Sequence, residues 1–282
     1  MTDPGDAGFH AGELAVQTRA GVRREASRLE PLLEPGELSP GLAGFLAGQT
    51  FLAGTGRDEA GRLWTSPLTG PPGFLEVRSG TELAVHARIG EGDPLHRIAA
   101  WQKLGTVTVD FARRRRVRMN GLLLVSSDDV LVIDVEQAFG NCPQFIQQRV
   151  LDPAGVESGS ARRGSALGAE DVALIRAADT FFLGTAHPDR GADASHRGGP
   201  RGFVRVDERG LWWPDYPGNN MFNSFGNLAV DPRAALLFLD FATGATLHLA
   251  GTARVEWGEE GRVVRFAVER FVAARSGFVR EF

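Results

Sequence analysis

The chain has 282 residues, of which 43% are apolar and 23% charged, a globular composition that excludes a disordered, collagenous or coiled-coil protein. A formal net charge of −4 excludes a general nucleic-acid or membrane-surface binder, because either would carry a basic excess. The single cysteine, Cys142, excludes an intrachain disulfide framework and a cysteine-rich metal site and suits a reducing compartment. The sequence has no apolar run of the ~18 residues a membrane span needs and no signal-peptide order at its start, so the expectation is a cytoplasmic protein.

In chain order, residues 9–33 carry apolar side chains near helical spacing and run into Pro35-Gly36, which predicts one amphipathic helix. Leu14, Leu29, Leu32 and Leu33 need cover, so this helix is expected to pack across a barrel. A short helix over 40–47 then leads into a strand from Phe51 and a Gly-Phe strand at Gly73-Phe74. A hairpin with arms at 107–111 and 116–125 follows, and a helix around Glu136 closes the unit. Residues 152–165 are rich in Gly and Ser, as linkers are.

The same order then returns. Thr50-Phe51-Leu52-Ala53-Gly54-Thr55 recurs as Thr180-Phe181-Phe182-Leu183-Gly184-Thr185, 130 positions on. Ser66 and Gly73-Phe74 recur as Ser195 and Gly202-Phe203 at 129, Asp110-Phe111-Ala112 and Gly121 as Asp240-Phe241-Ala242 and Gly251 at 130, and Val135-Glu136 as Val268-Glu269 at 133. An ordered series at nearly constant spacing means tandem duplication. The chain therefore divides into a helical extension over 1–35, a first half over 36–150, a linker over 151–166 and a second half over 167–282. Each half has a helix of its own (40–47; 170–178), about six strands and a closing helix near Glu136 or Glu269. Helices at the ends of a mostly antiparallel set predict a mainly β fold with flanking helices, built as two small barrels.

Several chemistries fail on their motifs. Gly54-Thr55-Gly56 lacks the third glycine of a dinucleotide fingerprint, no P-loop or Gly-x-Ser-x-Gly elbow occurs, and the six histidines form no metal-ligand spacing, so no metal is expected. Arg113 to Arg116 with Arg118 is the densest charge. The repeat puts Arg113-Arg114 at a hairpin tip and Arg116, Arg118 and Asn120 on one strand face. A solvated hairpin that discourages edge pairing and a phosphate-binding Arg fork both remain open there. In half two, Ser195-His196-Arg197, Arg201 and the loop with Asn219, Asn220 and Asn223 offer many donors to a phosphate. The neighbouring Trp212, Trp213, Tyr216 and Phe222 either cover a flat ring or fill the core. The matching stretch of half one has lost this polar character, so one site per chain is expected.

The stretch from Arg201 to Glu256 resembles the pyridoxamine 5′-phosphate oxidase-like family of FMN-binding split barrels. The resemblance lies in the order of an Arg on a strand (Arg201), an acidic-Gly turn (207–210), an aromatic strand end (Trp212 to Asp215), an asparagine loop (219–223), Asp231-Pro232-Arg233-Ala234-Ala235-Leu236 and a returning strand from Thr246 to Gly251. The tandem order, Asn141-Cys142-Pro143-Gln144-Phe145 and Ser195-His196-Arg197-Gly198-Gly199 are similar to its two-barrel branch. The resemblance implies tandem FMN-binding split barrels forming a pseudo-dimer, either as a monomer or as a homodimer of such chains. It implies an FMN-dependent oxidoreductase of unknown substrate and electron donor; the alternative is a non-enzymatic flavin-binding or redox-sensing module. Carried over, the phosphate-binding Arg falls on Arg201, the backbone contacts to the flavin ring on Phe203 and Val204, the aromatic strand end on Trp213 and Pro214, and the family's glutamine on Thr246 and, in half one, Arg116. Phe222-Asn223 stand where the family has Arg-Lys, and Ser195, His196, Arg197, Asp215, Asn219, Asn220 and Asn223 complete the implied cofactor site. No catalytic acid or base is assigned, with His196 the nearest candidate. Residues 278–282 show no counterpart of the family's pyridoxamine-binding residues, so vitamin B6 oxidation is not implied.

Overall fold

A computed structural model of the chain describes residues 8–33, 37–152, 161–259, 261–275 and 280–281. Half of the expected linker, residues 153–160, and Phe278 fall outside them. After the helices α1 (Ala11–Arg19), α2 (Arg23–Ser27) and α3 (Pro40–Ala47) come seven strands: β1 (Phe51–Arg57), β2 (Leu63–Thr69), β3 (Leu75–Val77), β4 (Glu82–Val85), β5 (Gln102–Asp110), β6 (Arg115–Ser126) and β7 (Leu131–Gly140). Two short strands, β8 (Leu151–Asp152) and β9 (Arg162–Gly164), and helix α4 (Ala169–Ala177) lead to the second set. This comprises β10 (Thr180–His187), β11 (Gly191–Gly198), β12 (Arg205–Asp207), β13 (Gly210–Pro214), helix α5 (Asn223–Val230), β14 (Arg233–Leu239), β15 (Ala245–Gly258) and β16 (Gly261–Arg275). A last strand, β17 (Arg280–Glu281), pairs with β8.

The duplication is visible in the topology. The first sheet runs β2-β1-β5-β6-β7-β4-β3 and the second β11-β10-β14-β15-β16-β13-β12, the same antiparallel order twice, with β9 added to β16. Both long hairpins carry a bulge at matching glycines, Gly121 and Gly251. An added Cβ would lie 2.0 Å from the Asp134 carbonyl oxygen in one and 1.9 Å from that of Ala267 in the other, so only glycine fits either bulge. The register corrects one part of the repeat. Leu52 pairs with Thr108 and Phe181 with Phe238, and Leu52 and Phe181 each enter their own barrel's core while Ala53 and Phe182 face the other barrel. The Thr50 and Thr180 motifs are therefore one residue out of structural register, because a one-residue slip turns every side chain to the opposite face.

Each barrel has its own core, one around Leu52, Leu83, Met119 and Ile133, the other around Phe181, Trp213, Leu236 and Phe266. A third cluster joins them: Phe51, Val107, Val109 and Phe111 meet Phe182, Leu237, Leu239 and Phe241. Phe111 and Phe241, equivalent in the repeat, touch edge to face at 5.4 Å, as residues on the axis of a two-fold interface do. The chain is thus a pseudo-dimer of two split barrels.

Two helical expectations fail. Glu136 and Glu269 lie in β7 and β16, not in closing helices; Ile133 and Val135 are buried while Asp134 and Glu136 are not, a period of two that belongs to a strand. The N-terminal helix is broken into α1, α2 and a 3-10 turn over Glu30–Leu33, where Gly21 turns with φ +71° and Pro31 withdraws an N–H. It does pack across the barrels: Phe9, Ala26 and Leu33 cluster with Phe139 and Met221, though Leu32 stays exposed. No described helix is long and apolar enough to cross a membrane.

Candidate functional site

The site forms where the two barrels meet, and β6 explains why. Its alternation sends Val117 and Met119 into the first core and Arg116, Arg118 and Asn120 towards the second barrel. There they meet β11 and the loop before α5. Arg118 Nη1 donates to both oxygens of Asp193, at 3.0 and 3.2 Å, and Arg116 Nη1 donates to His196 Nδ1 at 3.0 Å and to the His196 carbonyl at 3.2 Å. The loop is held by its own asparagines: Asn219 Nδ2 donates to Asn141 Oδ1 at 2.9 Å, and Asn219 Oδ1 accepts from Met221 N at 3.2 Å. Asn220 and Phe222 take left-handed conformations, φ +61° and +59°. Asn tolerates this; for a Phe it is strain the surrounding packing must hold. Phe222 caps α5, so the helix's first turn, with amides lacking intrahelical partners, lines the cleft.

The cavity there is about 90 Å³ and is walled by Arg116, Arg118, Asn141, His196, Arg197, Asp215, Tyr216, Asn219, Asn220, Phe222, Asn223 and Arg262, among others. Its charges do not cancel. Asp193 is taken by Arg118. Asp215 accepts from Arg262 Nε at 2.8 Å and lies 3.7 Å from Arg197. Arg116 faces a neutral histidine instead of a carboxylate. Burial, then Arg118 and Arg197, push its pKa down to about 10, and burial followed by Arg116, Arg149 and Arg197 pushes His196 well below its ordinary value. A neutral His196 whose Nδ1 accepts from Arg116 carries its proton on Nε2. That Nε2 is buried without a partner, and so are Arg116 Nε, Arg197 Nε, Asn141 Nδ2 and Asn120 Oδ1.

Beside this cavity, α1 closes a smaller one of about 40 Å³ that is lined by Asn120 and Asp193 and shares Asn223 with the first. Glu13 accepts from Asn223 Nδ2 at 2.5 Å and from His10 N at 2.8 Å, and His10 Nε2 lies 3.1 Å from Asn227 Oδ1.

Of the residues singled out from sequence, Arg116, His196, Arg197, Asp215, Asn219, Asn220 and Asn223 line one cavity. Ser195 lies buried beneath it, bonded to Ser224 and the Leu183 carbonyl. Arg201 and Thr246 are separated from this group and line another cavity at the α4 end of the second barrel, because Arg201 falls in the turn after β11 has ended at Gly198. Phe203, Val204 and Trp213 are core residues, Trp213 edge-on to Phe181 at 4.9 Å, and Pro214 pairs with Val263 at a strand end. Sequence reasoning missed Asn141, Arg262, Asp193 and Glu13, which arrive from distant elements; Arg118 and Asn120 were signalled by their period of two with Arg116. Among the described residues, no group of three or more His, Cys, Asp or Glu side chains is placed to hold a metal.

Comparison with known proteins gives one family. Residues 167–277 match the model of the family described as pyridoxamine 5′-phosphate oxidase. No curated protein matches the chain. Among solved structures, HupZ from Group A Streptococcus is 14% identical, covering 39% of this chain and 100% of its own, with a TM-score of 0.32. HutZ, the heme storage protein from Vibrio cholerae, is 12% identical over 38% of this chain and 92% of its own, with a TM-score of 0.29. The FAD binding protein from Mycobacterium smegmatis is 14% identical over 40% and 97%, also at 0.29. The second half of the chain thus matches the pyridoxamine 5′-phosphate oxidase family model, and the first half repeats the strand order of the second.

Proposed function

We propose that the chain is an FMN-binding flavoprotein that holds the cofactor's phosphate in the cleft between Arg116 and the asparagine loop. One observation carries the reading. Arg116 Nε, Arg197 Nε, His196 Nε2 and Asn141 Nδ2 are buried donors with no acceptor, all on side chains of one cavity, and an unsatisfied buried donor costs about 1–3 kcal/mol unless a ligand takes it. A dianionic phosphate supplies acceptors and offsets the unpaired charge of Arg116, and charge-assisted bonds of this kind contribute about 1.5–3 kcal/mol each. The residues fit that end of the cofactor: Arg116 and Arg197 supply charge, and His196 Nε2, Asn141, Asn219, Asn220 and Asn223 supply donors. The flavin ring exceeds this cavity of about 90 Å³, since cavities for whole ligands run to about 300–1,000 Å³; Tyr216 and Phe222 are the aromatic faces the cleft offers it.

Bound FMN would supply hydride or electron transfer, and the chain's part is binding and orientation. An FMN-dependent oxidoreductase is the leading form of this reading. The second form, a flavin-binding module without turnover, is favoured by His196: a histidine held neutral and buried is a poor proton donor or acceptor near pH 7.

Titration of the purified protein with FMN and with riboflavin tests the site. FMN is expected to bind at least tenfold more tightly than riboflavin, and Arg116→Met to remove that difference, because loss of about 1.4 kcal/mol is a factor of ten. Arg201→Ala should leave it intact. Equal affinity for FMN and riboflavin in the parent protein would overturn the assignment. Anaerobic bleaching of the loaded protein by NADH or NADPH separates the oxidoreductase from the module.

A further inference from the structure

The cavity that takes Arg201 and Thr246 is built for a ligand of its own. It measures about 1040 Å³ and lies at the α4 end of the second barrel, bounded by the outer face of α4, the β14–β15 turn, the end of β16 and the segment Gln147-Gln148-Arg149. Its floor is apolar, with Leu174, Leu239, Phe241 and Leu247. Three of its four carboxylates are engaged, Asp171 by Arg162 at 2.5 Å and by Gly168 N at 2.8 Å, Asp179 by Arg149 at 2.6 Å, and Asp240 by Ala242 N and the Thr243 hydroxyl of its own turn at 2.9 and 2.7 Å, and the fourth, Glu170, is exposed on α4. Its cations are not all engaged. Among the described residues Arg201 has no carboxylate within ion-pair distance, although Asp240 feels its charge.

Arg149 is the second feature that points to a ligand. Its side chain is only 5% exposed, its Nη2 holds Asp179, and its guanidinium lies over the Phe241 ring at 4.0 Å, yet its Nε is buried with no partner. Buried orphaned polar atoms among the described residues belong to the inter-barrel cleft, to Arg149 and to Thr180, next in sequence to the Asp179 that holds Arg149. A cavity of about 800 Å³ lined by Trp64 and Arg97 of the first barrel and by Arg163, Arg270 and Phe271 has none. Phe111 separates the two sites: Arg149 lies 5.5 Å from its ring and the His196 ring 6.1 Å from it, and no side chain lines both cavities.

We infer that this cavity binds an amphipathic organic anion, a carboxylate or sulfonate on an aromatic or aliphatic body, with Arg201 and Arg149 meeting the anionic group and Leu174 and Phe241 the body. An apolar floor with a few convergent polar groups is the usual make-up of such a site, and Arg is the side chain whose fork fits a carboxylate or sulfonate.

The test uses the full chain and 8-anilinonaphthalene-1-sulfonate, read by fluorescence, with the uncharged N-phenyl-1-naphthylamine as control. The sulfonate should bind at one equivalent and at least tenfold more tightly than the neutral amine. Arg201→Glu should weaken it tenfold or more, and Leu174→Trp, which sets a bulky ring over the apolar floor, should weaken it too; FMN affinity should not change in either variant. Arg201 is exposed, so its variant reads the site even where the packed one fails to fold. Sulfonate binding unchanged in Arg201→Glu, or equal binding of the neutral amine, would overturn the inference. Parallel loss of FMN and sulfonate would overturn the separateness of the two sites.

Discussion

Beneath α1, two side chains titrate away from their ordinary values in opposite directions. Burial raises the Glu13 carboxyl to about 7, with Asp193 of β11 adding to the rise and the bonds from His10 N and Asn223 and the charge of Arg190 opposing it. Burial, His187 and Arg190 lower His10 to about 4, against the hydrogen bond to Asn227. The folded state therefore keeps a proton on Glu13 that the unfolded chain releases above pH 4.5, so stability is lost as pH rises from about 4.5 to about 7. His10 acts the other way: the unfolded chain takes up a proton that the folded state refuses, and stability is lost as pH falls from about 6.5 to about 4. At about 1.4 kcal/mol per unit, the Glu13 effect reaches at most about 3 kcal/mol. Glu13→Gln, which fixes a neutral side chain there, should be more stable than the parent at pH 8, with the gain shrinking towards pH 5. A denaturation midpoint difference independent of pH would show that Glu13 is ionised in place. None of this could be read from the sequence, where Glu13 is one polar residue of an amphipathic pattern and its burial depends on α5, more than two hundred residues later.

At the scale of elements, the crossing of α1 and α5 rests on two glycines. A Cβ on Gly12 would lie 2.3 Å from the Gly226 carbonyl oxygen, and one on Gly226 would lie 2.7 Å from the Glu13 amide nitrogen. Backbone cannot yield as a flexible side chain does, so Gly226→Ala should cost about 1–3 kcal/mol, as overpacking does. It should also lift α1 from the cleft. Limited proteolysis within residues 9–33 reads the lifting directly, and unchanged protection would mean that the helices slide apart without cost. The period of two in Arg116, Arg118 and Asn120 was legible because a strand's alternation needs no partner to be seen. The breaks in the N-terminal helix at Gly21 and Pro31 were legible too, but the apolar spacing outweighed them. The strands at Glu136 and Glu269 were hidden by polar residues on a barrel's outer face, which mimic the spacing of a solvated helix.

For the whole molecule, the duplication carried most of what sequence could give, since one repeat with constant spacing implies one strand order twice. It could not give the site, because the interface joins residues that share no local pattern: Arg116 and His196 are 80 positions apart. The resemblance put the phosphate-binding Arg at Arg201, yet β11 ends at Gly198, and the turn after it carries Arg201 to a different cavity. The same interface decides how the chain unfolds. Phe51, Phe111, Phe182 and Phe241 form one packed cluster between the barrels, with Phe51 and Phe182 5.1 Å apart and Phe111 and Phe241 5.4 Å apart. Removing a buried Phe ring costs about 3–5 kcal/mol, and here the cavity would open between the halves. The parent should unfold in one cooperative transition. Phe111→Ala should lower its stability by that amount and, with the shared cluster broken, allow the two barrels to melt separately, which appears as a smaller denaturant slope or two steps. Trp64 reports the first barrel and Trp213 the second, both buried, so single-tryptophan variants can follow each half. Coincident transitions in Phe111→Ala with a loss below about 1 kcal/mol would mean that the covalent linker and the polar cleft, not this cluster, hold the barrels together.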